Sequence, residues 1–90
     1  MIMEKNLIFQ QDAFDDFFDW SLVNKMIFKK IYELIKDIRR NPFEGKGKPE
    51  PLKHELTGYW SRRIDSEHRL VYKIENENII IIRCKDHYSD

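Results

Sequence analysis

Glycine and proline are scarce in this chain, with three of each in 90 residues. All three prolines and two of the glycines fall between Asn41 and Pro51. No flexible linker remains elsewhere to divide the chain, so residues 1–90 are expected to form one domain. A single cysteine, Cys84, excludes an internal disulfide; in a strand pattern it reads as a buried reduced thiol, which suits the cytoplasm. The longest apolar run, Ile79 to Ile82, is too short to cross a bilayer, and the N-terminus carries no signal-peptide hydrophobic stretch. No membrane partner is therefore expected. Repeats and low-complexity tracts are absent. So are HxxxH, CxxC and Gly-rich phosphate-loop patterns, and neither a metal nor any other cofactor is expected.

Net charge is lacking too: 16 basic residues balance 16 acidic ones. A neutral protein has no general grip on nucleic acid, but the charge is unevenly spread. Residues 1–20 sum to −4, 21–40 to +4, 41–73 to +2 and 74–90 to −2. A contiguous basic face would attract a phosphate backbone locally. Lys25, Lys29, Lys30 and Lys36, however, read first as the solvated side of a helix.

Asn6 to Phe9 reads as a short first strand. From Asp12 to Trp20, residues Ala13, Phe14, Phe17 and Phe18 share one helical stripe, with Asp12, Asp15, Asp16 and Asp19 opposite. Asn24 can cap a second helix, in which Ile27, Ile31, Leu34, Ile35 and Ile38 recur at helical spacing. Arg39 and Arg40 suit its last turn, and Asn41-Pro42 ends it. Asn41 to Pro51 reads as a loop in which Pro49 and Pro51 stiffen the backbone around Glu50.

Three strands follow, at Gly58–Asp65, His68–Glu75 and Ile79–Lys85, and the four isoleucines of the last suggest burial on both faces. Period two places Tyr59, Ser61, Arg63 and Asp65 on one face and Trp60, Arg62 and Ile64 on the other, so only one of Arg62 and Arg63 can serve a given site. The order β-α-α-β-β-β predicts an α+β domain, with two helices on one face of a mostly antiparallel sheet and the other face left for binding.

Arginines presented by successive strands, and His87 beside Tyr88, supply phosphate forks and a proton carrier. Such a set suits phosphodiester cleavage without a metal.

The stretches Arg39–Lys53, Leu56–Ile64, Glu67–Tyr72 and Cys84–Tyr88, with Asp15-Asp16 and Lys29–Ile35 in the helical half, resemble the YoeB toxins of the RelE-like superfamily. The resemblance runs in order along nearly the whole chain, which here continues past the tyrosine with Ser89-Asp90. It implies a small twisted sheet with two helices, akin to microbial ribonucleases. It also implies the toxin of a bacterial type II toxin-antitoxin system, a ribosome-dependent endoribonuclease that cuts mRNA in the A site. The implied partners are a YefM-type antitoxin, the ribosome and its mRNA, operator DNA only together with the antitoxin, and a second copy in a homodimer.

By the same resemblance Glu50 is the base that deprotonates the ribose 2′-OH and His87 the acid that protonates the leaving 5′ oxygen. Arg69 faces the phosphorane charge, and Tyr88 positions the substrate. Lys46, Lys53 and Arg63 are implied RNA contacts, while His54 and His68 are read as structural. Two rival readings use the same residues: a non-catalytic RNA- or ribosome-binding module, and a co-repressor subunit acting with the antitoxin.

Overall fold

The computed structural model of the protein describes residues 5–86. Strand β1 (Asn6–Phe9) leads into helix α1 (Gln11–Val23) and helix α2 (Lys25–Arg40). After the loop come β2 (Glu50–Pro51), a 3-10 turn at His54–Leu56, β3 (Trp60–Arg63), β4 (Arg69–Glu75) and β5 (Asn78–Arg83). The sheet order is β1-β5-β4-β3-β2. Three pairings are antiparallel, and β1 joins β5 in parallel, with Asn6 beside Asn78 and Phe9 beside Ile81.

One residue separates the helices. Asn24 is extended, at φ −156°, and so closes α1; its side chain then accepts the Ile27 backbone N–H at 3.1 Å and starts α2. At the far end Asn41 is again extended, ahead of Pro42, and its N–H still donates to the Asp37 carbonyl. Between these stops Ile31, Leu34, Ile35 and Ile38 are buried against Leu70, Tyr72, Ile79 and Ile81 of the sheet. Such a stripe at helical spacing is what stabilises α2, since short helices do not stand alone in water.

Two expected strands are shorter, Gly58–Asp65 reducing to Trp60–Arg63 and Ile79–Lys85 ending at Arg83, and three further places differ from the sequence expectation. Only half of the aromatic stripe on α1 reaches the core: Ala13 is buried and Phe17 packs at its edge, but Phe14 and Phe18 are 54% and 58% exposed. The stripe is wider than the sheet edge it covers, so its outer half has nothing beneath it. Likewise Ile79 and Ile81 are buried while Ile80 and Ile82 are only half-buried, because helices cover a single face. Glu50 and Pro51 are not loop but a short edge strand, which tolerates proline because its outer side needs no N–H.

Candidate active site

The sheet face turned away from the helices gathers the expected chemistry from three strands. Glu50 in β2 lies directly opposite Ser61 in β3, and Arg63 in β3 directly opposite Arg69 in β4. Two arginines facing each other repel. Arg69 turns aside to Glu50: its Nη1 donates to Glu50 Oε1 at 3.1 Å and to Ser61 Oγ at 3.3 Å. The Arg69 side chain is 12% exposed and that of Glu50 58%, so a semi-buried cation is held at its rim by a wet acid. Arg63 stays exposed on the same face. Lys73, further along β4, lies 5.4 Å from the centre of the Tyr59 ring.

A second set of contacts pins the chain just ahead of His87. The Arg69 backbone N–H donates to the Asp86 carbonyl at 3.0 Å. The Asp86 N–H donates to His68 Nδ1 at 2.8 Å. His68 is buried with its ring edge-on to Trp20, whose Nε1 donates to the Cys84 carbonyl at 2.9 Å. Asp65 closes the turn beneath them, accepting the N–H groups of Glu67 and His68 at 2.9 and 2.7 Å. Burial pushes the Asp65 carboxyl up, but these two backbone bonds outweigh it and hold it below its ordinary value. His68 is held within the fold by these contacts. His87 and Tyr88 lie outside the described residues.

Of the remaining expected contacts, Lys46 and Lys53 are exposed on the loop and just past β2. The Lys46 backbone is fixed, because its N–H donates to Asp37 Oδ2 at 2.9 Å. That bond is the chief reason the Asp37 carboxyl titrates below its ordinary value; hydrogen bonding and attraction from Arg62 add to it, against a burial cost.

A depression of about 870 Å³ lies elsewhere, between the start of α1 and the end of β5. Asp12, Asp15, Asp16 and Asp86 line it together with Arg83 and Lys85, and four carboxylates against two cations suit a phosphate poorly. Volume and chemistry disagree here, and the Glu50–Arg69 pair is the better candidate. Among the described residues no three His, Cys, Asp or Glu side chains gather as metal ligands.

Sequence reasoning missed Arg62. Alternation puts it on the apolar side with Trp60 and Ile64, and there it is 0% exposed. A charge on a strand's apolar face demands buried partners, and that demand was the available signal.

Two helices against one face of a mixed sheet is the fold of the small YoeB and RelE-like toxins. The chain belongs to one family among them: residues 9–88 match the YoeB-like toxin of bacterial type II toxin-antitoxin systems. It is 57% identical to Toxin YoeB of Escherichia coli (strain K12) over 82 residues, 91% of this chain and 98% of that protein. A YoeB dimer from Staphylococcus aureus superposes with a TM-score of 0.89 at 49% identity, covering 96% of this chain and 100% of that one. A YoeB-YefM complex from the same organism superposes with a TM-score of 0.87 at 50% identity and the same coverage.

Proposed function

We propose that this protein is a ribosome-dependent endoribonuclease that cuts mRNA in the A site and is neutralised by a YefM-type antitoxin. The observation that carries the reading is the Glu50–Arg69–Ser61 cluster, with the backbone of Arg69 bonded to Asp86 immediately ahead of His87. Glu50 takes the proton of the ribose 2′-OH, whose oxygen attacks phosphorus. Arg69 meets the charge that grows on the non-bridging oxygens, which a guanidinium contacts at two points. His87 gives a proton to the departing 5′ oxygen, and Tyr88 positions the nucleotide. The P–O5′ bond breaks, leaving a 2′,3′-cyclic phosphate and a 5′-hydroxyl. Lys46, Lys53 and Arg63 contact the RNA backbone.

The ribosome supplies orientation that a neutral protein cannot obtain from free RNA by charge alone. The homodimer and the antitoxin complex known for the Staphylococcus aureus relatives support the same two partners for this chain. The antitoxin covers the basic surface, and operator DNA is bound only in its company. The site of action is the cytoplasm.

Mass spectrometry of the cut ends of a translated mRNA tests the reading. Cyclic or 3′-phosphate ends paired with 5′-hydroxyls support it; 5′-phosphate ends, or intact message, refute it.

A further inference from the structure

The loop between α2 and β2 is built around one guanidinium. Arg62 has five N–H bonds, and each has an acceptor. Nε donates to the Tyr72 hydroxyl at 3.1 Å. Nη1 donates to Asp37 Oδ2 at 2.7 Å and to the Lys46 carbonyl at 3.1 Å. Nη2 donates to the carbonyls of Asn41 and Glu44, at 2.7 and 3.0 Å. Three of the five bonds therefore go to loop backbone. The supports of Arg62 grip the same loop: the Tyr72 hydroxyl donates to the Pro42 carbonyl at 2.7 Å, and Asp37 Oδ2 accepts the Lys46 N–H. Gly45 shows how close the wrapping is, since a Cβ added there would lie 2.1 Å from Asp37 Oδ2.

Such a cluster is costly to assemble, because a buried cation must recover its lost hydration from fixed partners. For stability alone an apolar side chain between Trp60 and Ile64 would serve as well. What the guanidinium adds is direction. The loop leaves the cluster at Lys46 and Gly47, the Gly47 carbonyl accepts the Arg63 N–H at 2.6 Å, and Glu50 follows three residues later. Strand β2 has only two residues, one of them a proline, and so short a strand does not hold its own register. The position of Glu50 is then set from both sides, by Ser61 and Arg69 on the sheet and by the anchored loop behind it.

We infer that Arg62, with Tyr72 and Asp37, is a positioning residue that aims the Glu50 carboxylate from inside the core without touching substrate. The inference rests on the nuclease reading above. Two variants loosen the anchor while filling the same space. Tyr72→Phe deletes only the hydroxyl that bonds both Arg62 and the Pro42 carbonyl, and Arg62→Lys keeps the charge but loses the fork.

Single-turnover cleavage on programmed ribosomes, with toxin concentration varied, gives a saturating rate and a half-saturation concentration. Mispositioning by about an ångström costs on the order of 100-fold in rate. Arg62→Lys should approach that loss at saturation, and Tyr72→Phe should lose roughly a tenth as much, with half-saturation within about twofold of wild type for both. Amide hydrogen exchange should rise over residues 41–51 and stay unchanged in β4 and β5. A merely structural role predicts the reverse: exchange rising throughout, and half-saturation shifting while the saturating rate holds. That result, or unchanged rates and exchange, overturns the inference. Should Arg62→Lys not fold, Tyr72→Phe decides alone. Wild-type protein that leaves translated message intact overturns the nuclease reading, and the inference with it.

Discussion

Arg62 and Arg69 are opposite-facing neighbours in one sheet with opposite employment. Arg62 points into the core, is fully buried, and satisfies every donor with protein groups, mostly backbone carbonyls. Arg69 points to the outer face, where its bonds are to two side chains, one of them a carboxylate 58% exposed to water. A guanidinium whose partners are fixed carbonyls organises a chain. One whose partner is a hydrated acid can exchange that partner for a phosphate. The environment, and not the residue type, sets the two arginines apart.

The sharpest way to break this contrast is to truncate each arginine and compare stability with activity. Arg62→Ala should destabilise the protein by roughly 3–5 kcal/mol, the usual cost of breaking a buried charge pair. Urea unfolding followed by circular dichroism measures it, and a loss no larger than that of Arg69→Ala would abolish the distinction. Arg69→Ala should slow cleavage by about 100- to 1,000-fold, the cost of losing one preorganised electrostatic contact. Its stability should change by no more than about 1 kcal/mol, as for other partly hydrated pairs. Arg69→Lys should recover little of the rate, since an ammonium lacks the planar fork.

Acid sharpens the comparison from the side of the partners. The folded Asp37 carboxyl is held below 3.8, so its contribution is whole above the unfolded value and is lost as pH falls through the lower folded one. Thermal melts of wild type and Asp37→Asn should therefore differ by a constant amount near neutrality. Below about pH 4 they should converge, because wild type then loses the same charge. A gap that persists undiminished in strong acid would show that Arg62 does not depend on that charge.

The smallest effect expected concerns Cys84, whose thiol is pushed up to about 12 by burial and by the nearby Asp16 carboxylate. Thiol reagents at pH 8 should leave the folded protein unlabelled and react at once in denaturant. Rapid labelling of the native state would mean that the floor under the pinned 84–86 segment opens readily.

The helical half was legible wherever one face meets the sheet squarely. Every isoleucine and leucine expected inward on α2 between Ile31 and Ile38 is buried. Phe14 and Phe18 share the stripe on α1 yet stay exposed, because periodicity gives a direction around the helix and says nothing of how wide a surface waits there. Glu50 and Arg69 were named through family resemblance, and the structure brings them together; spacing alone could not, since 19 residues separate them. Arg62 escaped for a related reason. Its acid lies 25 residues away and its carbonyl acceptors belong to a loop whose backbone leaves no mark in residue type. Strand β2 hid behind its prolines, which read as loop until the sheet edge is known.

The parallel pairing of β1 with β5 has a kinetic meaning. Asn6 waits for Asn78, so the first strand emerges from the ribosome about 70 residues before its one neighbour among the described strands exists. At translation rates of about 5–20 residues per second that wait lasts roughly 4 to 14 s. A hairpin such as β4–β5 closes in about 1–10 μs once made. Closure of the sheet is therefore timed by synthesis and not by the chain's own motions. A partner already present in the cell has several seconds in which to meet β1 and α1 before β5 can complete the fold.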